Sequence, residues 1–319
     1  MFLFDKEKDP NKFILVPGQE SETQYKLDAG VYNLALSSNG PMSPPTIAFE
    51  KTAKYEDGMN IEGGVFTKAR ATFEKFIRPE MYEAREAMEM MHKLGVIFDG
   101  KPGTGKTFLA GQIASEFAKK HDAVSIVTTD NDINFPALID SVREFDEDRL
   151  IVIVMDEFEK SGATHSSKML SFLDGTNSKN NVIVIATIND IGQMPSYLKD
   201  RPGRFEHILK FKSDDVLILK SIVTQCIPDS FKPDFDVDEL VKSFTNKANS
   251  NKFGLKNERD DFTVDRLRVV IRDLIADTIK NKSDLAAIET VTVDTVVQKT
   301  LAQEGIENVI DAAVEAAAS

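Results

Sequence analysis

The chain has 319 residues, 41% hydrophobic and 29% charged, an ordinary globular mixture long enough for two or three domains at roughly 100–200 residues each. Its net charge of −13 argues against a broad basic face that clamps duplex nucleic acid. The single cysteine, Cys226, excludes an internal disulfide, and four scattered histidines with no HExxH or Cys/His cluster exclude a zinc-protease site.

The longest apolar run, Leu150 to Met155, is far short of a membrane span. The opening Met-Phe-Leu-Phe-Asp-Lys-Glu-Lys-Asp is too acidic for a signal peptide. The expectation is a soluble cytoplasmic protein without membrane contact. Residues 1–90 form the first region, a small β-rich part followed by helices. Short strands are expected at Lys12–Val16, Gln24–Leu27, Val31–Leu36 and Thr46–Phe49, with Asp28-Ala-Gly30 as a hairpin turn. A helix over Val65–Ile77 places Phe66, Ala69, Phe73 and Phe76 on one face. A second helix starts at Pro79 and reaches Lys93, with Gly95 as its stop.

From residue 91 to 212 apolar strands alternate with helices. Strands are expected at Val96–Phe98, Ala123–Thr128, Leu150–Met155, Val182–Thr187 and Phe205–Phe211. Helices are expected at Thr107–Lys120, Phe135–Phe145 and Ser166–Leu173. This alternation predicts an α/β fold, a parallel sheet with helices on both faces. Residues 213–305 read as a four-helix unit: Asp214–Ile227 capped by Ser213, Val237–Phe244, Thr263–Lys280 with Thr263 as its cap, and Val293–Gln303. An Ala-rich tail covers 306–319.

Four segments carry chemistry. Gly100-Lys-Pro-Gly-Thr-Gly-Lys-Thr107 matches G-x-x-x-x-G-K-[ST], set between a strand and a helix. Glycines there let backbone N–H groups curl around phosphate, and the following helix N-terminus adds positive potential. The predicted cradle comprises Gly100, Pro102, Gly103, Thr104, Gly105, Lys106, Thr107 and Phe108. Lys106 is expected to reach the β- and γ-phosphates of ATP, and Thr107 to hold Mg2+ through its hydroxyl.

The apolar run ending in Asp156-Glu157 comes 50 residues after Lys106. It puts a carboxylate at a strand's carboxyl edge, where ligands of open α/β sheets lie. Asp156 is expected to orient Mg2+, and Glu157 to polarise the attacking water. The run Val182 to Asn189 ends at the same edge with an amide able to hydrogen-bond phosphate and water. Finally, Asp200-Arg-Pro-Gly-Arg-Phe-Glu206 offers Arg201 and Arg204, planar cations suited to phosphoryl charge. The plainer alternative for that last segment is a surface turn with two solvated arginines.

In this order the segments resemble the AAA+ family of P-loop NTPases, in the branch with an R-P-G-R-F ending, over Gly95 to about Gln303. The resemblance implies that Lys106 and Thr107 are Walker A, Asp156 and Glu157 Walker B, and Asn189 sensor 1. It implies that Arg201 and Arg204 are fingers for a neighbour's nucleotide. It makes the unit from Ser213 a helical lid. It also implies a homo-oligomer, commonly a hexameric ring, that remodels a protein substrate with ATP.

Three departures from the family pattern bear on that picture. The stretch Thr129 to Phe135 is acidic and polar, with only Ile133 and Phe135 apolar, unlike a substrate-threading loop. Ile222 stands roughly where the family has a lid histidine. Arg266 or Arg268 could be the second sensing arginine, with a solvated helix face as the alternative. The other function considered is a clamp-loader-like or helicase-loader-like ATPase, from the Asp-Glu-Phe-Glu-Lys-Ser-Gly162 stretch. A slow nucleotide-gated scaffold is a third.

Overall fold

In a computed structural model, the residues described are 2–6, 12–17, 26–37, 46–55, 59–129, 133–160, 171–173, 179–194, 198, 204–212, 215–245 and 264–283. The chain divides into two units. The first comprises Met1–Gly58, Thr67–Lys101 and Gly105–Phe211, and the second Met59–Phe66, Pro102–Thr104 and Lys212–Ser319.

The first unit is built on one nine-stranded sheet. Its strands in chain order are β1 (Phe2–Lys6), β2 (Lys12–Pro17), β3 (Gly30–Ser37), β4 (Thr46–Thr52), β5 (Lys93–Asp99), β6 (Val124–Thr128), β7 (Ile151–Met155), β8 (Val182–Ile188) and β9 (His207–Lys210). The order across the sheet is β1-β2-β4-β3-β6-β7-β8-β5-β9. From β3 to β9 every neighbouring pair is parallel. β5, β7 and β8 are buried at every position, as expected for central strands covered on both faces.

Alternate residues of these strands supply two cores. One face holds Ile97, Ile126, Ile151, Ile153, Val184 and Ala186 against Phe135, Leu138 and Val142 of α4 (Phe135–Val142). The opposite face carries Phe98, whose ring meets Phe73 edge-on at 6.3 Å, and Phe73 in turn meets Phe117 at 6.3 Å. Phe73 belongs to α1 (Gly64–Phe76) and Phe117 to α3 (Lys106–His121). Helices therefore cover both faces, as the strand pattern predicts.

The N-terminal strands do not form a separate β region. β3 pairs in parallel with β6 and antiparallel with β4, so the core sheet continues into the first 52 residues. Tyr32, fully buried, sits between Phe13 and Phe49 at ring distances of 6.1 and 6.3 Å. Buried Arg149 adds a tie, donating to the Leu27 carbonyl at 2.5 Å and the Asp122 carbonyl at 3.0 Å.

Several local expectations change. β1 is absent from the sequence reading. Asp28-Ala-Gly30 is no hairpin, since β2 and β3 are not neighbours. The turn instead delivers Gly30 to β6, its N–H donating to the Ala123 carbonyl at 3.2 Å. Lys26 and Leu27 lie outside any strand, and Gln24 and Tyr25 outside the described residues.

The second helix, α2 (Pro79–Ala87), ends well before Gly95, and Gly95 lies inside β5. Its role is close approach rather than helix termination. A Cβ there would stand 2.0 Å from the Arg204 carbonyl oxygen, so only glycine admits β9's leading strand end.

In the second unit, α5 (Val216–Cys226) is capped by Asp215, not by Ser213, which lies outside the described residues. Asp215 Oδ1 accepts from the backbone N–H groups of Leu217 at 2.9 Å and Ile218 at 3.3 Å. α6 (Val237–Thr245) and α7 (Val264–Ser283) both pack on α5, and Ile222 is fully buried there. Thr263, the expected helix Val293–Gln303 and the tail 306–319 lie outside the described residues. Among the described residues, no helix is long and apolar enough to cross a membrane.

Candidate nucleotide-binding site

Parallel strands end their carboxyl termini on one edge, and here three of them deliver polar groups to it. β5 ends in Asp99 and runs into the glycine-rich loop, β7 runs into Asp156 and Glu157, and β8 runs into Asn189. The register aligns Ile97 with Ala186 and Ala186 with Met155, so these ends lie side by side.

The loop's backbone explains its glycines. Gly103 and Gly105 have φ of 79° and 88°, the left-handed region open to glycine at no steric cost. Gly105 is the N-cap of α3, so the helix starts at Lys106 with its free N–H groups turned to the loop. Thr104 and Lys106 are buried, and Phe108 lies in the first turn of α3.

Lys106 and Asn189 meet directly. Lys106 Nζ donates to the Lys101 carbonyl at 2.9 Å, to Asn189 Oδ1 at 3.1 Å and also to the Gly100 carbonyl. Burial pushes the Lys106 pKa below its ordinary value, opposed by the carboxylates of Glu159, Asp156, Asp99 and Glu157.

Thr107 and Asp156 also meet. Thr107 Oγ1 donates to Asp156 Oδ1 at 2.7 Å. A hydroxyl and a carboxylate are hard oxygen donors, the set Mg2+ takes together with phosphate oxygens and water. These two residues fit that ion.

Glu157 follows the strand with φ of 49°, a left-handed conformation uncommon for a side chain of its size. Its carboxylate pairs with Lys160 at 2.5 Å, and both side chains are about half exposed. Arg204 stands elsewhere. It is 3% exposed, and its carbonyl lies beside Gly95, within β5 and well before the carboxyl end. Arg201 lies outside the described residues, as do Asp130 to Asp132. Ile133 and Phe135 are buried, so neither offers an apolar side chain at the surface.

Three contributors went unnoticed in the sequence. Thr187, 1% exposed, donates to Asp156 Oδ1 and accepts from the Glu157 N–H. A lone threonine two residues before Asn189 in an apolar strand, on the same face, was the available signal. Asp99 accepts from the Ile191 N–H at 3.0 Å and so joins the loop's start to the turn after Asn189. Its signal was a carboxylate closing an apolar strand before Gly100. Glu159 accepts from Asn189 Nδ2 at 2.6 Å. Nothing in an acidic turn distinguishes it from its neighbours.

A parallel α/β sheet with a glycine-rich loop, a lysine and a hydroxyl–carboxylate pair at its carboxyl edge is consistent with a P-loop domain. Residues 96–213 match the sequence model of the ATPase family associated with various cellular activities (AAA). Over that segment the chain is similar to AAA ATPases. It is 27% identical over 186 residues to Tat-binding homolog 7 of Caenorhabditis elegans, covering 52% of this chain and 14% of that protein. It is 26% identical over 184 residues to ATPase family AAA domain-containing protein 2 of Mus musculus, covering 50% and 17%. It is 27% identical over 190 residues to Peroxisomal ATPase PEX6 of Penicillium chrysogenum, covering 52% and 12%. The chain therefore spans less than a fifth of each of these relatives.

Proposed function

We propose that this protein is a Mg2+-dependent ATPase that hydrolyses ATP to ADP and phosphate. It uses the reaction to remodel a protein or protein complex, working as a ring of identical subunits. The observation that carries the ATPase reading is the convergence of Lys106, Thr107, Asp156 and Asn189 through direct hydrogen bonds at one sheet edge. The match of residues 96–213 to an ATPase family supports it. Relatives with ATPase in their titles, the Penicillium chrysogenum protein among them, support it further.

The residues divide the work as follows. Backbone N–H groups of the loop and the start of α3 receive the phosphates, and Lys106 turns from the loop carbonyls to the β- and γ-phosphate oxygens. Thr107 and Asp156 would hold Mg2+, which when bound would neutralise phosphate charge. Glu157 leaves Lys160 and accepts the proton of the attacking water. Asn189 donates to a γ-phosphate oxygen or to that water. Arg201 and Arg204 are the proposed fingers for a neighbour's nucleotide, and Arg204 serves only by leaving its burial. The ring, commonly six subunits in this family, and the protein substrate rest on family likeness. The matched relatives do not favour the loader reading.

The test is phosphate release and nucleotide affinity on the full chain. Lys106→Ala is expected to abolish binding of a fluorescent ATP analogue. Glu157→Gln is expected to bind ATP normally and turn over about a hundredfold more slowly, or less. An unmutated protein with no affinity for adenine nucleotides, or a Glu157→Gln variant with normal turnover, would defeat this assignment.

A further inference from the structure

Resting on the ATPase reading above, we propose that Glu159 is a positioning residue that orients the Asn189 side-chain amide for the reacting phosphate and water. A carboxamide has a donor end and an acceptor end of nearly equal size, and a half-turn swaps them. Its polarity must come from neighbours that only donate or only accept. Asn189 has one of each. Lys106, a pure donor, sits on Oδ1 at 3.1 Å, and Glu159, a pure acceptor, receives Nδ2 at 2.6 Å.

Glu159 Oε1 also accepts the Asn189 backbone N–H at 3.2 Å. One oxygen therefore bridges the backbone and side chain of the same residue, which fixes the torsions between them. The second hydrogen on Nδ2 is left for a phosphate oxygen or water. Glu159 is itself held by the short 3-10 turn Phe158–Lys160. Phe158 is fully buried there, with its ring 6.1 Å from Phe205. Glu159 and Glu157, the residue just before this turn, thus differ. Glu157 pairs at the surface with Lys160, while Glu159 turns inward to Asn189.

The other oxygen of Glu159 points to the same role. Oε2 is buried and has no hydrogen-bond partner among the described residues. A buried, unsatisfied carboxylate oxygen costs stability. Its retention is explained by what Oε1 does to Asn189.

The experiment uses the full chain and measures kcat, KM and the affinity for a fluorescent ATP analogue. The variants are Glu159→Ala, Glu159→Gln, Asn189→Ala and the double variants. Glu159→Ala is expected to lower kcat about ten- to a hundredfold, the worth of a hydrogen bond to a charged group. Nucleotide affinity should stay within about threefold, since Lys106 and the loop N–H groups hold the phosphates. Glu159→Gln keeps a neutral acceptor and should fall between wild type and Glu159→Ala.

The decisive reading is the double variant. If Glu159 acts through Asn189, adding Glu159→Ala to Asn189→Ala slows turnover no further. Multiplying losses, or a loss confined to nucleotide affinity, overturns the proposal. Should Glu159→Ala fail to fold, Glu159→Gln alone and combined with Asn189→Ala gives the same reading. An unmutated chain without ATP turnover removes the ATPase reading and this role with it. Normal wild-type turnover with an inert Glu159→Ala removes this role alone.

Discussion

The Thr187 hydroxyl donates to Asp156 Oδ1 at 2.5 Å, joining β8 to the residue just past β7 at the point where both strands end. Thr187 Oγ1 in turn accepts the Glu157 N–H at 3.0 Å. One hydroxyl thereby sets the carboxylate proposed for Mg2+ and the backbone of the proposed base. Thr107 donates to the same Asp156 oxygen, so two hydroxyls hold it.

Thr187→Val keeps the shape and removes both bonds. The variant should lose about 1–3 kcal/mol in urea unfolding, because Asp156 and the Glu157 N–H lose a buried partner. Turnover should fall as well, with an increased demand for Mg2+. Unchanged stability and unchanged Mg2+ dependence would show that Thr187 holds neither group.

Gly95→Ala tests the approach of the strand ends at β5 and β9. Its Cβ would meet the Arg204 carbonyl at 2.0 Å, and backbone cannot swing aside like a flexible side chain. The expected cost is about 3 kcal/mol, seen as a lower urea midpoint with an unchanged slope. A variant as stable as the parent would mean that the pairing is looser than described.

His92 gives a pH prediction. It is buried, stacked on Phe76 at 4.1 Å and edge-on to Tyr82, and its backbone N–H donates to Asn180. Its pKa is lowered to about 4 by burial, with the Arg85 charge adding to the effect. The unfolded chain takes up a proton near the ordinary value of about 6.5, and the folded chain does not until about pH 4. Stability is therefore full above pH 6.5 and declines as pH falls toward 4, by roughly 2–3 kcal/mol. His92→Phe should keep the stack and flatten that part of the pH profile. An equally steep profile in the variant would assign the acid sensitivity to other groups.

Arg204 and Arg201 should separate in their effects. Arg204 is buried, so Arg204→Ala is expected to lower the melting temperature whatever it does to turnover. Arg201→Ala is expected to cut turnover of the assembled protein while nucleotide affinity stays within about threefold. Mixing Arg201→Ala with Lys106→Ala subunits should restore part of the activity, since each supplies what the other lacks. No recovery, with both variants folded, would remove the finger assignment of Arg201.

The sequence alone determined the parts of this protein that follow from short-range rules. Continuous apolar runs ending in Asp156 and Asn189, alternating with helical segments, pointed to buried parallel strands, because strands covered on both faces read as unbroken apolar runs. Gly103 and Gly105 specified a loop with positive φ, because other residues resist it. Tertiary structure decided what depended on partners distant in the chain. Gly95 reads as a helix stop until Arg204, 109 residues later, is laid against it. Asp28 to Gly30 reads as a hairpin until β6 takes the place of β2 beside β3. Glu159 reads as one more acid in a solvated turn until Asn189, 30 residues on, turns its amide to meet it. In each case the residue's own preferences leave several outcomes of similar energy, and the long-range contact selects among them.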